Sequence, residues 1–140
     1  MSRSVFLTGA GGFVGRHLLP RLRARGIEVT CLVRRAPAPD AMAARWVVGD
    51  LTQPGPWEDA LAGVDLVLHA AAATGAASPE AHARVNAEGT EALLRRAVAR
   101  GVGRFVFVST VAVKFKDKRH YPYAQAKERA EAAVRAAGIP

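Results

Sequence analysis

Short apolar segments alternate with amphipathic, helix-like segments from one end of the chain to the other. The apolar segments are nearly continuous runs, which are typical of strands buried on both faces of a parallel sheet. The pattern predicts five strands, at 4–8, 27–33, 45–48, 64–69 and 104–109. It predicts helices at 13–25, 56–62, 79–100 and 121–137. Because parallel strands need crossover connections, this alternation indicates an α/β fold with a doubly wound parallel sheet.

The ends of these segments carry residues that begin and end helices. Gly26 follows the first helix, and Pro56 stands at the first position of the second. Ser78 followed by Pro79 is typical of an N-cap and a first helical turn. Residues 34–44 contain two prolines and are predicted to form a loop. A chain of 140 residues, 50% hydrophobic and 23% charged, suffices for one folded domain spanning 1–140.

The net charge is +8, from 20 Lys and Arg against 12 Asp and Glu, and by itself it favours a nucleic-acid partner. The basic residues are scattered, however, and only 6% of the chain is aromatic, so we expect no nucleic-acid binding. The apolar runs are too short to span a membrane. The single cysteine, Cys31, suits a reducing, cytoplasmic compartment, and neither it nor the four histidines have metal-ligand spacing.

A glycine-rich turn, TGAGGFVG at 8–15, follows the first predicted strand and opens the first helix. Gly9 suits a tight turn, Gly12 lets the backbone approach a pyrophosphate, and Gly15 allows close helix–strand packing. The start of the helix attracts phosphate through its free N–H groups. The turn therefore predicts dinucleotide binding, and a glycine turn without a ligand is the alternative. The candidate cofactor-binding residues here are Gly9, Gly11, Gly12, Phe13, Val14 and Gly15.

The end of the second strand indicates which dinucleotide binds. A carboxylate at this place accepts a hydrogen bond from the ribose 2′-OH of NAD, whereas arginine accommodates the 2′-phosphate of NADP. Here the strand ends with Arg34 and Arg35, and the first acidic residue is Asp40. We therefore predict NADP, with NAD as the alternative. Exposed arginines that only contact solvent would be the alternative explanation.

Tyr123 and Lys127 are four residues apart in the last predicted helix, so their side chains lie on one face, one turn apart. A free tyrosine ionises near pH 10 and is a poor base at neutral pH. A nearby ammonium favours the phenolate and brings the group toward its working pH. The pair is a candidate acid–base set, and a surface tyrosine beside a solvated lysine is the alternative.

Taken together and in order, these motifs resemble the extended or atypical short-chain dehydrogenase/reductase superfamily, the NAD(P)-dependent epimerase/dehydratase group. The resemblance covers nearly the whole chain and implies a Rossmann-like sheet of about five strands. The motifs that carry it are TGAGGFVG at 8–15, GDL at 49–51, HAA at 69–71, VNAEGT at 85–90, ST at 109–110 and YAQAK at 123–127.

The resemblance implies further cofactor contacts. Asp50 would contact adenine and Leu51 would flank it, while Ala70 and Ala71 would line the path of the ribose and pyrophosphate. A loop or helix-capping carboxylate is the alternative for Asp50. Asn86 is expected to be structural, bonding a neighbouring strand or turn.

The resemblance also implies catalytic roles. Tyr123 would exchange a proton with the substrate oxygen, and Lys127 would also hold the nicotinamide ribose. Thr110, with Ser109 as second choice, would hydrogen-bond the same substrate oxygen. Hydride transfer would then belong to an NAD(P)-dependent oxidoreductase, epimerase or dehydratase acting on a small molecule such as a sugar nucleotide.

The chain departs from the family pattern at two places. A basic segment at 114–120 replaces the usual Val-Tyr-Gly turn, and we interpret it first as a solvated loop and second as an acidic-substrate site. Family members also continue past this point with further strands and a C-terminal substrate lobe, and we expect this chain to lack that lobe and to be incomplete relative to the family. We therefore expect a sixth strand to begin near residue 140, beside an edge that a cap or a partner would cover. Two alternatives to an active enzyme stay open: a non-catalytic dinucleotide-binding or sensor module, and a truncated inactive enzyme. Homo-oligomerisation stays open as well.

Overall fold

A computed structural model describes residues 3–37 and 44–140. Its five strands form one sheet with the order β3-β2-β1-β4-β5, and every neighbouring pair is parallel. The sheet confirms the predicted α/β, Rossmann-like fold. The predicted loop 34–44 is described only at its two ends, and Asp40 lies outside the described residues. The strands are β1 Ser4–Thr8, β2 Glu28–Val33, β3 Arg45–Val48, β4 Leu66–His69 and β5 Arg104–Phe107.

Four α-helices and three other helical segments lie between or after the strands in the described part of the chain. The helices are α1 Phe13–Ala24, α2 Pro79–Ala81, α3 Gly89–Ala99 and α4 Pro122–Ala136. A π-helical segment, His82–Glu88, joins α2 to α3, so the helix predicted at 79–100 is continuous but not uniformly α-helical. The helix predicted at 56–62 is a 3-10 helix, Pro56–Leu61, because six residues hold few i,i+4 bonds. A second 3-10 turn, Val111–Lys114, was not predicted.

The strand predicted at 64–69 begins two residues later than expected. The carboxylate of Asp65 accepts hydrogen bonds from the backbone N–H of Ser4, at 2.8 Å, and from its hydroxyl, at 3.0 Å. The backbone N–H of Asp65 donates to the Ser4 hydroxyl at 3.0 Å. These side-chain bonds tie the segment to the beginning of β1 in place of sheet pairing.

The sheet is covered on both faces, and alternate residues of β1 show why. Phe6 belongs to one buried cluster, with Leu61, Val67 and Leu93. Val5 and Leu7 belong to the other, on the opposite face. Because successive strand residues point to opposite faces, three apolar residues in a row serve two cores. Cys31 is buried in the second core, as a strand residue, and burial raises its pKa to about 11.

All five strands end at the same edge of the sheet, and the strand order reverses between β1 and β4. Open α/β sheets bind ligands at the carboxyl ends of the strands, at such a reversal. The sequence motifs that follow β1 and β4 therefore meet there. Within the described part of the chain, no helix is both long and apolar enough to cross a membrane.

The far edge of the sheet, beside β5, is contacted by the last residue. The backbone N–H of Phe105 donates to the carbonyl oxygen of Pro140 at 3.0 Å. Residues 138–140 form no strand in the structure. The backbone hydrogen bond to Pro140 lies where we expect a sixth strand to begin.

Candidate functional site

The glycine turn is a tight backbone structure packed against the chain that follows β4. Gly9 has a φ of +76°, and a Cβ there would lie 2.6 Å from the backbone of Ala70 and Ala71. A Cβ on Gly15 would overlap the carbonyl oxygen of Gly9. The first turn of α1 therefore packs on the glycine turn itself. A side chain at Gly9 would push the turn away from the end of β4, and one at Gly15 would push α1 away from the turn.

The start of α1 is open and carries no negative side chain. Its N-cap residue is Gly12, no side chain caps it, and no acidic residue stands in the first turn. A Cβ on Gly11 would meet nothing within 4 Å, and Phe13 is 73% exposed. Val14 is exposed as well. Free N–H groups at the positive end of a helix dipole fit a phosphate group, so this end fits a dinucleotide pyrophosphate.

Arginines and a carboxylate lie together at the ends of β2 and β3. Arg34 and Arg35 are exposed directly after β2. Asp50 accepts hydrogen bonds on Oδ1 from the backbone N–H of Thr52, at 2.8 Å, and from its hydroxyl, at 2.7 Å. These bonds lower the pKa of Asp50, and the positive charges of Arg34 and Arg84 lower it further. The carboxylate is thus a loop-forming group that also lies near two guanidinium groups.

Arg84 was not among the predicted residues. It belongs to the π-helical segment, more than thirty residues from Asp50 in sequence, so no local pattern connects the two. Leu51, predicted to flank adenine, is only 8% exposed and packs in the core with Leu93 and Leu94. Its side chain therefore contributes to the core beneath this part of the site.

A buried polar chain crosses from β1 through β4 to α3. The Thr8 hydroxyl lies 2.6 Å from Nδ1 of His69, and Nε2 of His69 lies 2.8 Å from the Thr90 hydroxyl. Because Thr90 already donates to the carbonyl of Asn86, at 2.8 Å, its oxygen accepts from His69, which places the imidazole proton on Nε2. Burial, with a smaller contribution from the charge of Lys127, lowers the pKa of His69 to about 3. The imidazole is therefore neutral at physiological pH.

The same polar groups hold the chain that follows β4. The Thr8 hydroxyl accepts from the backbone N–H of Ala71 at 3.1 Å. Asn86 bonds both backbone groups of Ala73: Oδ1 accepts from the N–H at 2.7 Å, and Nδ2 donates to the carbonyl at 2.8 Å. His82 Nδ1 lies 3.2 Å from the same carbonyl. The structural role predicted for Asn86 is confirmed, and segment 70–73 is fixed from two sides.

Lys127 is buried at the end of β5. Its Nζ donates to the carbonyl of Val108 at 2.6 Å and lies 4.1 Å from the centre of the Phe107 ring. Only 3% of the residue is exposed, so the alternative of a solvated lysine is wrong. Burial lowers the pKa of Lys127 to about 8, although the nearby carboxylate of Glu131 acts in the opposite direction.

Tyr123 lies one turn before Lys127 on α4, in an aromatic surrounding. Its ring centre is 5.6 Å from that of His82, edge to face, and 6.0 Å from that of Tyr121. Together with Pro122 and residues of segment 74–79, these side chains line a cavity of about 460 Å³, called here the aromatic groove. Tyr121, which has no lysine four residues later, is therefore part of the same groove as Tyr123.

Ser109 and Thr110 follow β5 and have different surroundings. The Thr110 hydroxyl accepts from the backbone N–H of Ala112 at 3.3 Å and caps the 3-10 turn Val111–Lys114. The Ser109 hydroxyl is buried and has no hydrogen-bond partner among the described residues. Both residues line a second cavity, of about 580 Å³, called here the charged groove. Its charged residues are Lys114, Glu128, Glu131 and Arg135.

The basic segment 114–120 is only in part a solvated loop. Lys118 donates to the carbonyls of Val113, at 3.1 Å, and Phe115, at 2.8 Å, and pairs with Glu128 at 3.1 Å. Arg119 pairs with Asp117 at 2.7 Å. Two of the basic side chains therefore stabilise the loop itself. Within residues 3–37 and 44–140, no three potential ligands cluster as a metal site would require.

The order of strands, glycine turn and α4 residues is that of a known family. A model of the NAD dependent epimerase/dehydratase family matches residues 5–138. The chain belongs to the NAD-dependent epimerase/dehydratase family. The predicted resemblance is thus confirmed for the dinucleotide-binding, Rossmann portion of the fold.

Three relatives illustrate the family. The chain is 41% identical over 112 residues to the 4-hydroxy-2-methyl-3-oxo-4-farnesyl-3,4-dihydroquinoline-1-oxide ketoreductase of Stigmatella aurantiaca, covering 77% of this chain and 34% of that protein. A short-chain dehydrogenase/reductase superfamily protein from Agrobacterium tumefaciens, solved with bound NAD, is 34% identical with a TM-score of 0.80. MoeE5, solved with UDP-glucose and NAD, is 30% identical with a TM-score of 0.82.

The chain spans only part of these relatives. It covers 34% of the ketoreductase, 44% of the Agrobacterium protein and 48% of MoeE5, while those two structures cover 95% and 96% of this chain. The match is therefore to one portion of longer enzymes, the portion that carries the glycine turn.

Proposed function

We propose that this chain is the cofactor-binding part of a nicotinamide-dependent oxidoreductase that interconverts a hydroxyl and a carbonyl group in a small molecule. One observation carries the proposal: the uncapped start of α1 follows a glycine turn that packs, at Gly9, against Ala70 and Ala71, where the strand order reverses. A bound nicotinamide dinucleotide would supply the hydride donor or acceptor. A cytoplasmic location for this chemistry rests on the single cysteine.

The residues that would hold the dinucleotide come from four strand ends. The first-turn amides at Phe13, Val14 and Gly15 bind the pyrophosphate, and the close turn at Gly9 and the open side of Gly11 and Gly12 admit it. Asp50, with Leu51 beneath it, lies at the adenine end. Ala70 and Ala71 line the path between, and Lys127 holds the nicotinamide ribose.

Tyr123 is proposed as the acid–base residue, assisted by Lys127. The buried ammonium of Lys127 lies one helical turn from Tyr123 on α4. Thr110 holds the substrate oxygen, and Ser109, whose hydroxyl has no partner among the described residues, is the second choice. Tyr123→Phe should abolish turnover and leave dinucleotide affinity within about twofold, because a phenol contributes to the transition state far more than to cofactor binding.

That experiment compares steady-state rates and dinucleotide titrations for the wild-type chain and the variant. Tyr121→Phe serves as the matched control, since it removes a phenol two residues away that has no proposed proton-transfer role. Equal losses of rate in the two variants would contradict the assignment of Tyr123.

NADP is proposed over NAD because Arg34 and Arg35 are exposed at the end of β2, beside Asp50. A guanidinium binds a 2′-phosphate through two charge-assisted hydrogen bonds. In a titration of the 140-residue chain, NADPH should bind at least about tenfold more tightly than NADH, and Arg34→Ala should remove most of that difference. Equal affinities in the wild type would contradict the role proposed for Arg34, and tighter binding of NADH would favour NAD, which the Agrobacterium structure contains.

A second candidate function follows from the length of the match. Because the chain covers 34% of the ketoreductase, it could bind a dinucleotide as a non-catalytic or sensor module, or as a truncated inactive enzyme. Tight dinucleotide binding together with no turnover would support this candidate. Measurable turnover that depends on Tyr123 would exclude it.

A further inference from the structure

The aromatic groove differs chemically from the charged groove, which Ser109 and Thr110 line. Tyr123 lines the aromatic groove, together with Tyr121, Pro122 and residues between 74 and 79. None of the described residues that line it is Lys, Arg, Asp or Glu. Phosphates and carboxylates lose hydration on entering a cleft and need charged or multiple polar partners there. The polar groups of this lining are the hydroxyls of Thr74, Tyr121 and Tyr123 and the imidazole of His82, whose Nδ1 lies 3.2 Å from the Ala73 carbonyl. The lining therefore offers a phosphate no Lys or Arg partner.

Aromatic rings extend the groove to the surface. Phe115 stacks on Tyr121, with ring centres 6.1 Å apart and planes at 25°, and Tyr121 contacts Tyr123 in turn. Phe115 is 47% exposed and Tyr121 is 40% exposed. A continuous exposed apolar patch next to a cleft is typical of a binding surface for apolar ligands.

Two cations that precede Tyr121 in sequence are already engaged. Lys118 bonds two backbone carbonyls and Glu128, and Arg119 pairs with Asp117. A ligand phosphate would compete with these contacts for Lys118 and Arg119.

We infer that the substrate of this site is an uncharged ketone, or the matching alcohol, with an apolar group beside the reacting carbon, and that this group lies against Tyr121. The inference rests on the proposed function, since it takes Tyr123 as the residue next to the reacting oxygen. It excludes sugar nucleotides as ligands of the aromatic groove.

Binding of 2-nonanone and of UDP-glucose to the 140-residue chain tests the inference without any dinucleotide. Backbone amide resonances report where each compound binds. We expect 2-nonanone to shift the amide resonances of residues 74–78, Tyr121 and Tyr123, and UDP-glucose to leave them unchanged. Tyr121→Ser should weaken ketone binding at least about fivefold, whereas Tyr121→Phe keeps the ring and should leave it unchanged.

Val98→Ser is the matched control, because Val98 is 51% exposed on α3 and does not line the groove. The Tyr121 variants should fold, since the backbone N–H of Tyr121, which donates to the Lys118 carbonyl at 3.0 Å, is kept. The inference is overturned if UDP-glucose shifts the groove amides, if 2-nonanone does not, or if Tyr121→Ser and Val98→Ser have equal effects. Failure of the proposed function would instead appear in the NADPH and NADH titration.

Discussion

The glycine turn and the buried polar groups around the ends of β1, β4 and β5 are two halves of the candidate site, built by different physical means. In the turn, the backbone determines the structure: Gly9 adopts a left-handed φ, and α1 begins without a side-chain cap. In the other half, side chains determine it. Thr8 at the end of β1, His69 at the end of β4 and Lys127 of α4 are all buried and hydrogen-bonded. The turn depends on the absence of side-chain atoms, and the other half depends on hydrogen bonds between buried polar groups.

The difference predicts how each half responds to substitution. Adding one carbon to the turn creates an overlap with backbone, which can be relieved only by moving the chain. Removing one polar atom from the buried chain leaves a donor or acceptor without a partner, at the cost of its desolvation. The predictions below order these effects from the largest to the smallest.

The largest effect is expected for Gly15→Ala. The new Cβ would overlap the carbonyl oxygen of Gly9, so α1 and the turn must separate. We expect a loss of about 3 kcal/mol in the free energy of unfolding, together with loss of dinucleotide binding. Urea denaturation and a dinucleotide titration measure the two. Gly11→Ala is the control, because a Cβ there meets nothing within 4 Å, and it should change stability by less than about 0.5 kcal/mol.

A pH effect of intermediate size is expected from Lys127. Its pKa falls from 10.5 to about 8 on folding, so between those values the unfolded chain binds more protons than the folded one. The stability of the wild type should therefore rise from pH 8 to pH 10.5, relative to Lys127→Met, by about 2 kcal/mol. Denaturation midpoints of both proteins across this range measure the difference. Parallel curves would show that the ammonium of Lys127 is not desolvated in the folded chain.

The smallest effect is expected for Thr90→Val. The variant keeps the shape of the side chain and removes the oxygen that accepts from Nε2 of His69. We expect a loss of about 1 to 2 kcal/mol in unfolding free energy, since a buried N–H is left without a partner. Thr90→Ser keeps the hydroxyl and should lose less. If valine is as stable as serine here, the polar chain from Thr8 to Thr90 contributes nothing to the fold.

The sequence predicted the elements correctly where local chemistry decides them. Continuous apolar runs identified the five strands, and β1 and β3 begin and end where predicted. The predicted bounds of elements were less accurate where contacts between side chains distant in sequence determine where a strand begins. The two-residue delay of β4 comes from the bonds between Asp65 and Ser4, 61 positions apart.

The features of the candidate site that could be predicted from the sequence are also the local ones. The glycine pattern and the Tyr123–Lys127 spacing could be recognised because each lies within one element or turn. The burial of Lys127 could not, since it depends on Val108 and Phe107 from another part of the chain. The local pattern likewise did not predict that Arg84 lies near Asp50. It also did not predict that Lys118 pairs with Glu128.

By itself the sequence determined the fold class, the family and the backbone turn that fits a dinucleotide. The spacing of apolar residues, the positions of the glycines and the residues that begin helices are all local properties of the chain. Only the tertiary structure decided which polar side chains are buried and which protonation state they have. It also decided which of the two grooves has no Lys, Arg, Asp or Glu among the described residues that line it. Burial and hydrogen bonding depend on residues that the fold brings together from distant positions. The neutral His69, the desolvated Lys127 and the aromatic groove are therefore properties of the packed molecule.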